Sequence, residues 1–144
     1  MLRMSTKGHH ATRIMIFLAN HGDGLVTKTE IAEAETISSG YLQQLLIALV
    51  NAGLVKSYRG KAGGFSLGMP AETITVQQVL AATEGPFELA PCMEDECPRA
   101  EACAAHLLWF EATRRVNDLF DRTTIADLVK TTRALQEALA AVVA

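Results

Sequence analysis

Cys92, Cys97, Cys103 and His106 fall within one short stretch, spaced Cys92-x4-Cys97-x5-Cys103-x2-His106. Thiolates are soft ligands that suit zinc, Cu(I) or iron–sulfur centres. Structural zinc sites pair their cysteines closely and collect four near ligands, which two wide gaps and three thiols fit poorly. Iron–sulfur clusters are commonly held by four cysteines, and histidine can replace cysteine at some irons. His106 follows Cys103 by three residues at the start of a helical pattern, which puts both on one side. An odd number of cysteines so close together favours a metal or redox site over a disulfide framework. Two plainer readings compete: three small buried hydrophobes, which the acidic, proline-containing surroundings oppose, and His106 as an ordinary surface residue. His9, His10 and His21 are further imidazoles, but no spacing ties them to the cysteines. A cysteine nucleophile would need an electropositive setting. Glu94, Asp95, Glu96 and Glu101 provide the reverse, and no oxyanion site or phosphate loop accompanies them. The chain therefore reads as a non-enzyme, with no small-molecule substrate evident.

The elements around these ligands follow from periodicity. Residues 87–103 form a cysteine-, proline- and acid-rich loop without period. A long helix over about 104–121 follows, with Leu107, Leu108, Ala112, Val116, Leu119 and Phe120 as its apolar positions. A final helix starts at Thr123 or Thr124 and carries Ile125, Leu128, Val129, Leu135 and Leu139. Ahead of the loop, Thr75-Val76-Gln77-Gln78 is a capping box with Ile74 and Val79 placed as a hydrophobic staple. The helix over 76–83 stops at Gly85-Pro86.

The first seventy residues have a different character. A helix over 6–20 with Ile14, Met15, Phe17 and Leu18 ends at His21-Gly22-Asp23-Gly24. Thr27-Lys28-Thr29-Glu30 is a capping box for a short helix that ends near Ala34. After Glu35-Thr36-Ile37, Ser38 or Ser39 caps a third helix. Its apolar face is Tyr41, Leu42, Leu45, Leu46, Leu49 and Val50, and its opposite face is Gly40, Gln43, Gln44, Ile47 and Asn51. Gly53 ends it. Two strand-like runs, 54–58 and 65–67, flank the basic tip Arg59-Gly60-Lys61-Ala62-Gly63-Gly64, a hairpin closed by Pro70.

Short helix, tight turn, polar-faced helix and basic hairpin are the order of a winged helix-turn-helix, so the expected fold is mainly α with a small β-hairpin. The second helix of such a motif places its amino end on base edges. The candidate DNA-contacting residues are Ser38, Ser39, Tyr41, Gln43 and Gln44 on that helix and Arg59, Gly60 and Lys61 on the wing. Glutamine can pair bidentately with adenine, and serine bonds base edges or phosphate. Arg59 and Lys61 suit a narrow minor groove. Gly60, Gly63 and Gly64 would let the backbone approach the sugar-phosphate. Taken singly, two exposed glutamines are ordinary solvated residues and a basic turn is only a turn; the order of the four elements makes the case.

Composition agrees. Of 144 residues, 49% are apolar and 20% charged, as in an ordinary globular domain. The net charge of −3 hides an asymmetry. Residues 1–70 hold seven Lys and Arg against four Asp and Glu, and residues 71–144 hold six against twelve. The first part suits a polyanion, though uneven solvated charge would look the same. No apolar run is long enough to span a bilayer and no signal-peptide pattern opens the chain, so a cytoplasmic location is expected.

Several runs together resemble one known family: Ser5-Thr6-Lys7-Gly8, Ile37-Ser38-Ser39-Gly40-Tyr41-Leu42-Gln43-Gln44-Leu45, Ala52-Gly53-Leu54-Val55-Lys56-Ser57, Arg59-Gly60-Lys61-Ala62-Gly63-Gly64-Phe65-Ser66-Leu67, the spaced cysteines, and Thr124-Ile125-Ala126-Asp127-Leu128-Val129. The resemblance covers about residues 1–130 and is to the winged-helix iron–sulfur regulators that include IscR, NsrR, RirA and the cluster-free cysteine regulator CymR. It implies a homodimer built on a long dimerisation helix, here the one from Ala104, and binding to a roughly palindromic operator, usually as a repressor. It implies a DNA-binding segment 1–84, a cluster-binding loop 85–103 and a dimerisation segment 104–144. Cys103-Ala104-Ala105-His106-Leu107-Leu108-Trp109 is most similar to IscR-like members. That likeness implies Cys92, Cys97, Cys103 and His106 as ligands of a 2Fe–2S cluster in preference to 4Fe–4S, with cluster state reporting iron, redox or nitric oxide status. The alternative is a winged regulator whose cysteines bind zinc or sense oxidants as free thiols. There are departures. Gln43 stands where members often carry Glu, His9-His10 where many carry Arg-Tyr, and the first cysteine gap is one residue shorter than in IscR. Some relatives bind 4Fe–4S with a ligand from the other subunit's first helix, where this chain has His9 and His10.

Overall fold

The computed structural model describes residues 4–90 and 97–143. Helix α1 (Thr6–Asn20) starts where the Ser5 Oγ accepts the Gly8 N–H. Its buried residues Ala11, Ile14, Met15 and Leu18 recur at three- and four-residue steps, one face of a 3.6-residue period. Helix α2 (Lys28–Glu35) opens on the expected capping box. The Thr27 hydroxyl accepts from the Glu30 N–H, and the Glu30 carboxylate accepts from the Thr27 N–H at 2.7 Å. The chain turns at Thr36, whose φ of 55° places a β-branched residue in the left-handed region. Ser38, not Ser39, then caps α3 (Ser39–Asn51), accepting the Tyr41 N–H.

Strand β1 (Val55–Tyr58) pairs antiparallel with β2 (Gly64–Leu67), in a register from Val55 opposite Leu67 to Tyr58 opposite Gly64. Leu54 stays outside the strand, although its carbonyl accepts the Gly68 N–H at 2.8 Å. Val26 adds a single-residue bridge to Phe65. At the tip, Gly60 has φ 106°, and a Cβ on Gly63 would collide with the Tyr58 carbonyl oxygen. These glycines are required by the turn itself, before any ligand approaches.

A 3-10 turn (Ala71–Thr73) leads into α4 (Val76–Glu84), one residue longer than expected. Its Thr75–Gln78 capping box is present, and Ile74 and Val79 beside it are fully buried. The expected structureless loop contains one 3-10 turn (Ala100–Ala102), held by local bonds that no apolar period announces. Helices α5 (Ala104–Arg122) and α6 (Ile125–Val143) follow.

Helix α1 packs on α4, α6 and β2, with α3 alongside. Ile125 at the start of α6 belongs to the same core as Ile14, Leu42, Leu49, Ile74 and Val79. Hydrogen bonds from Val76 N to Thr123 O and from Ile125 N to Ile74 O, both 2.9 Å, stitch the starts of α4 and α6 together. The opening of α6 is thus part of the core shared with α1, α3 and α4. Residues 133–141 are all exposed. Among the described residues, no helix is long and apolar enough to cross a membrane.

Candidate DNA-reading surface and cysteine site

Burial of Leu42, Leu45, Leu46 and Leu49 fixes the rotation of α3, each contributing about 1.5–3 kcal/mol. That rotation leaves Ser39, Gly40, Gln43, Gln44, Ile47 and Asn51 exposed. The Ser38 oxygen is occupied as the cap acceptor, so its hydroxyl proton remains available to an anion at the helix amino end. Tyr41 is half-buried, edge-on to the His10 ring at 5.6 Å. This edge contact joins the start of α3 to α1, and the His10 Nδ1 is buried with no hydrogen-bond partner among the described residues.

Sequence reasoning missed Lys28. From the start of α2 its Nζ donates to Gln43 Oε1 at 3.3 Å. Only its charge beside a capping box marked it in the sequence; the contact to a side chain fifteen residues on belongs to the tertiary structure. Arg59, Gly60 and Lys61 are exposed at the wing tip as expected. Among the described residues, Lys28, Arg59 and Lys61 take part in no ion pair. The arginines of α5 differ: Arg114 and Arg115 are paired with Glu111, and Arg114 and Arg122 with Asp118. Arg114 and Arg115 hold the Glu111 carboxyl down at about 2 from its usual 4.5, chiefly through their hydrogen bonds. The cations of the wing tip and of Lys28 are thus uncompensated, whereas those of α5 are not. An ion pair of 2.6 Å between Arg13 and the buried Glu35 fixes α2 to α1 behind this surface.

At the second site, Cys92 lies outside the described residues. Cys97 and Cys103 are half-buried free thiols. Cys97 begins the 3-10 turn, its carbonyl accepting the Ala100 N–H at 3.0 Å. Cys103 caps α5 through its carbonyl, which accepts the Leu107 N–H at 3.2 Å, while its side chain makes no capping bond. His106 is in the first turn of α5, and its Nδ1 is buried with no hydrogen-bond partner among the described residues. An orphaned imidazole nitrogen and two unbonded thiols on one short stretch fit a soft metal centre by donor chemistry. Among the described residues, however, no three His, Cys, Asp or Glu side chains converge on a common metal position.

The stretch leading to the cysteines, residues 84–89, is anchored to two other helices. On its approach, Leu89 N donates to Thr113 Oγ1 at 3.3 Å, Asn117 Nδ2 donates to the Phe87 carbonyl at 3.2 Å, and Phe87 meets Phe120 edge-on. Behind it, the Glu84 carboxylate at the end of α4 accepts from the Ser5 hydroxyl and, at 3.1 Å, from the Gly8 N–H. Residues 84–89, which precede the cysteines, are thus tied to α5 directly and to the amino end of α1 through Glu84.

Residues 4–131 match the family model described as "Rrf2: Iron-dependent Transcriptional regulator". The HTH-type transcriptional regulator CymR of Bacillus subtilis is 40% identical over 138 residues, covering 95% of this chain and 96% of that protein. The HTH-type transcriptional regulator IscR of Erwinia tasmaniensis is 36% identical over 130 residues, covering 89% and 79%. The structure of B. subtilis CymR, titled the global cysteine regulator, superimposes with a TM-score of 0.76 at 39% identity, over 91% of this chain and 98% of that one. That of T. potens IscR does so with a TM-score of 0.79 at 32% identity, over 94% and 91%.

Proposed function

Since the chain belongs to the Rrf2 family of transcriptional regulators, which are not enzymes, we propose that it is a homodimeric regulator, acting as a repressor, whose binding to a palindromic operator is set by an iron–sulfur cluster. Cys92, Cys97, Cys103 and His106 would hold the cluster, with 2Fe–2S fitting three thiols and one imidazole. When bound, such a cluster supplies a state that changes with iron, redox or nitric oxide status. The observation that carries this reading is the buried, partnerless Nδ1 of His106 three residues after the unbonded thiol of Cys103.

On the DNA side, the amino end of α3 presents Ser38, Ser39, Gln43 and Gln44 to base edges and phosphate, with Tyr41 bracing the helix. Arg59 and Lys61, with Gly60 between them, present charge on the wing to the minor groove. Glu84 provides the connection between the sites. A change in the path of the cysteine segment shifts the end of α4. The Glu84 contacts to Ser5 and Gly8 then shift α1, which carries His10 against Tyr41 of α3. A few kcal/mol of bias between two positions of α3 changes operator occupancy many-fold.

A second reading keeps the DNA surface and replaces the cluster with zinc or with oxidation of the thiols themselves. It is favoured by the 40% identity to CymR, whose structure is titled the global cysteine regulator. Iron and sulfide analysis of protein purified without oxygen, with its visible absorption, separates the two. About two irons and two sulfides per chain is the expected result. A colourless protein that also resists cluster reconstitution leaves only the zinc or thiol reading.

A further inference from the structure

Ile47 is the only large aliphatic side chain on the outward face of α3, and half of it is exposed. It stands one helical turn after Gln43. The two residues line the same small hollow, about 150 Å³, between α3 and the wing. Val50 and Phe65 give the hollow an apolar floor, and Gln43, Asn51 and Ser57 give it an uncharged rim that can hydrogen-bond. Among the described residues, no acidic side chain lines it.

The neighbouring amide is also oriented. An ammonium can only donate, so the Gln43 atom facing Lys28 is the oxygen. Both Nε2 hydrogens are left to donate outward. A donor beside an aliphatic pocket matches one base edge in the major groove: thymine, which shows the O4 acceptor next to the C5-methyl.

Resting on the proposed DNA reading, we propose that Gln43 and Ile47 together select a thymine in each operator half-site. Gln43 Nε2 donates to O4, Ile47 takes the methyl group into the hollow, and Lys28 holds the Gln43 amide in the donating orientation. This replaces the expectation from sequence, in which Gln43 pairs bidentately with adenine, because Lys28 occupies the oxygen that adenine N6 would need.

The test uses the full-length protein and a pool of randomised duplexes. The enriched duplex is remade with each thymine in turn replaced by deoxyuridine, which removes only the methyl group. At one position per half-site, the wild type should lose about four-fold in affinity, the factor for burying one methyl-sized group. Ile47→Ala should bind the thymine duplex about four-fold more weakly and be indifferent to deoxyuridine there, while Ile47→Val keeps the sensitivity. The double-mutant cycle isolates the contact. A thermal unfolding profile of Ile47→Ala that matches the wild type shows that it is folded. A wild type indifferent to every deoxyuridine, or an Ile47→Ala protein with undiminished sensitivity, overturns the assignment and leaves DNA reading standing. Failure to enrich any sequence overturns both.

Discussion

Helices α3 and α5 are built on the same period and end in opposite situations. Helix α3 buries Leu42, Leu45, Leu46 and Leu49, and what it shows to solvent is uncharged and polar apart from Ile47. Helix α5 buries only Thr113 and leaves Leu107, Leu108, Phe110 and Leu119 more than half exposed. Their charges diverge as well. The cations around α3 and the wing are uncompensated, whereas those of α5 are paired along their own helix. An amphipathic helix with its apolar face inward has its partner in the chain; one with that face outward still needs one. For α3 the outward face suits a polyanion with readable edges. For α5 the exposed Leu107, Leu108, Phe110 and Leu119 suit a second copy of the chain, as proposed for the dimer.

The largest effect should come from attacking the α3 face. Leu42→Ala in the core should cost about 2–5 kcal/mol in urea unfolding. The counterpart on α5, Leu119→Glu, should raise the dimer dissociation constant about a hundredfold in sedimentation, through a residue 62% exposed in the single chain. Swapped outcomes, with Leu119 mattering to the fold and Leu42 to assembly, would break the contrast.

The charge contrast is sharpened by Arg59→Ala, which should lower the slope of log affinity against log salt by about one. Arg115→Ala on α5 should leave that slope unchanged. Thr36→Gly should stabilise the protein by about 1 kcal/mol in thermal unfolding, because it relieves a β-branched residue at positive φ. The smallest effect is a pH dependence confined to α5. The Glu111 carboxyl is lower in the folded chain than its usual 4.5, so its contribution is complete above that value. The contribution fades as pH falls towards about 2, and Glu111→Gln should flatten this limb of the stability profile.

Local chemistry explains what could be read from the sequence. The bounds of α1, the capping boxes at Thr27 and Thr75, the inward leucines of α3 and the antiparallel wing all follow from residues within a few positions of one another. The rest depends on contacts between distant segments. The burial of Ile125 in the core of α1, α3 and α4, the Glu84 clamp on Ser5 and Gly8, and the bond from Lys28 to Gln43 join elements that no period or spacing connects. The glycines at the wing tip were legible as glycines that matter. For Gly63 the structure adds a reason within the hairpin, the Tyr58 carbonyl that a Cβ would meet. At the cysteine site the ligand types were legible, and the structure adds the orphaned Nδ1 of His106; Cys92 lies outside the described residues.

The account stands or falls on whether the cysteine site governs the reading surface. The direct measurement is the affinity of cluster-loaded and cluster-free protein for one enriched duplex at a single salt concentration. The account predicts at least a tenfold difference, abolished in Cys103→Ala. Equal affinities of the loaded and empty forms would contradict it.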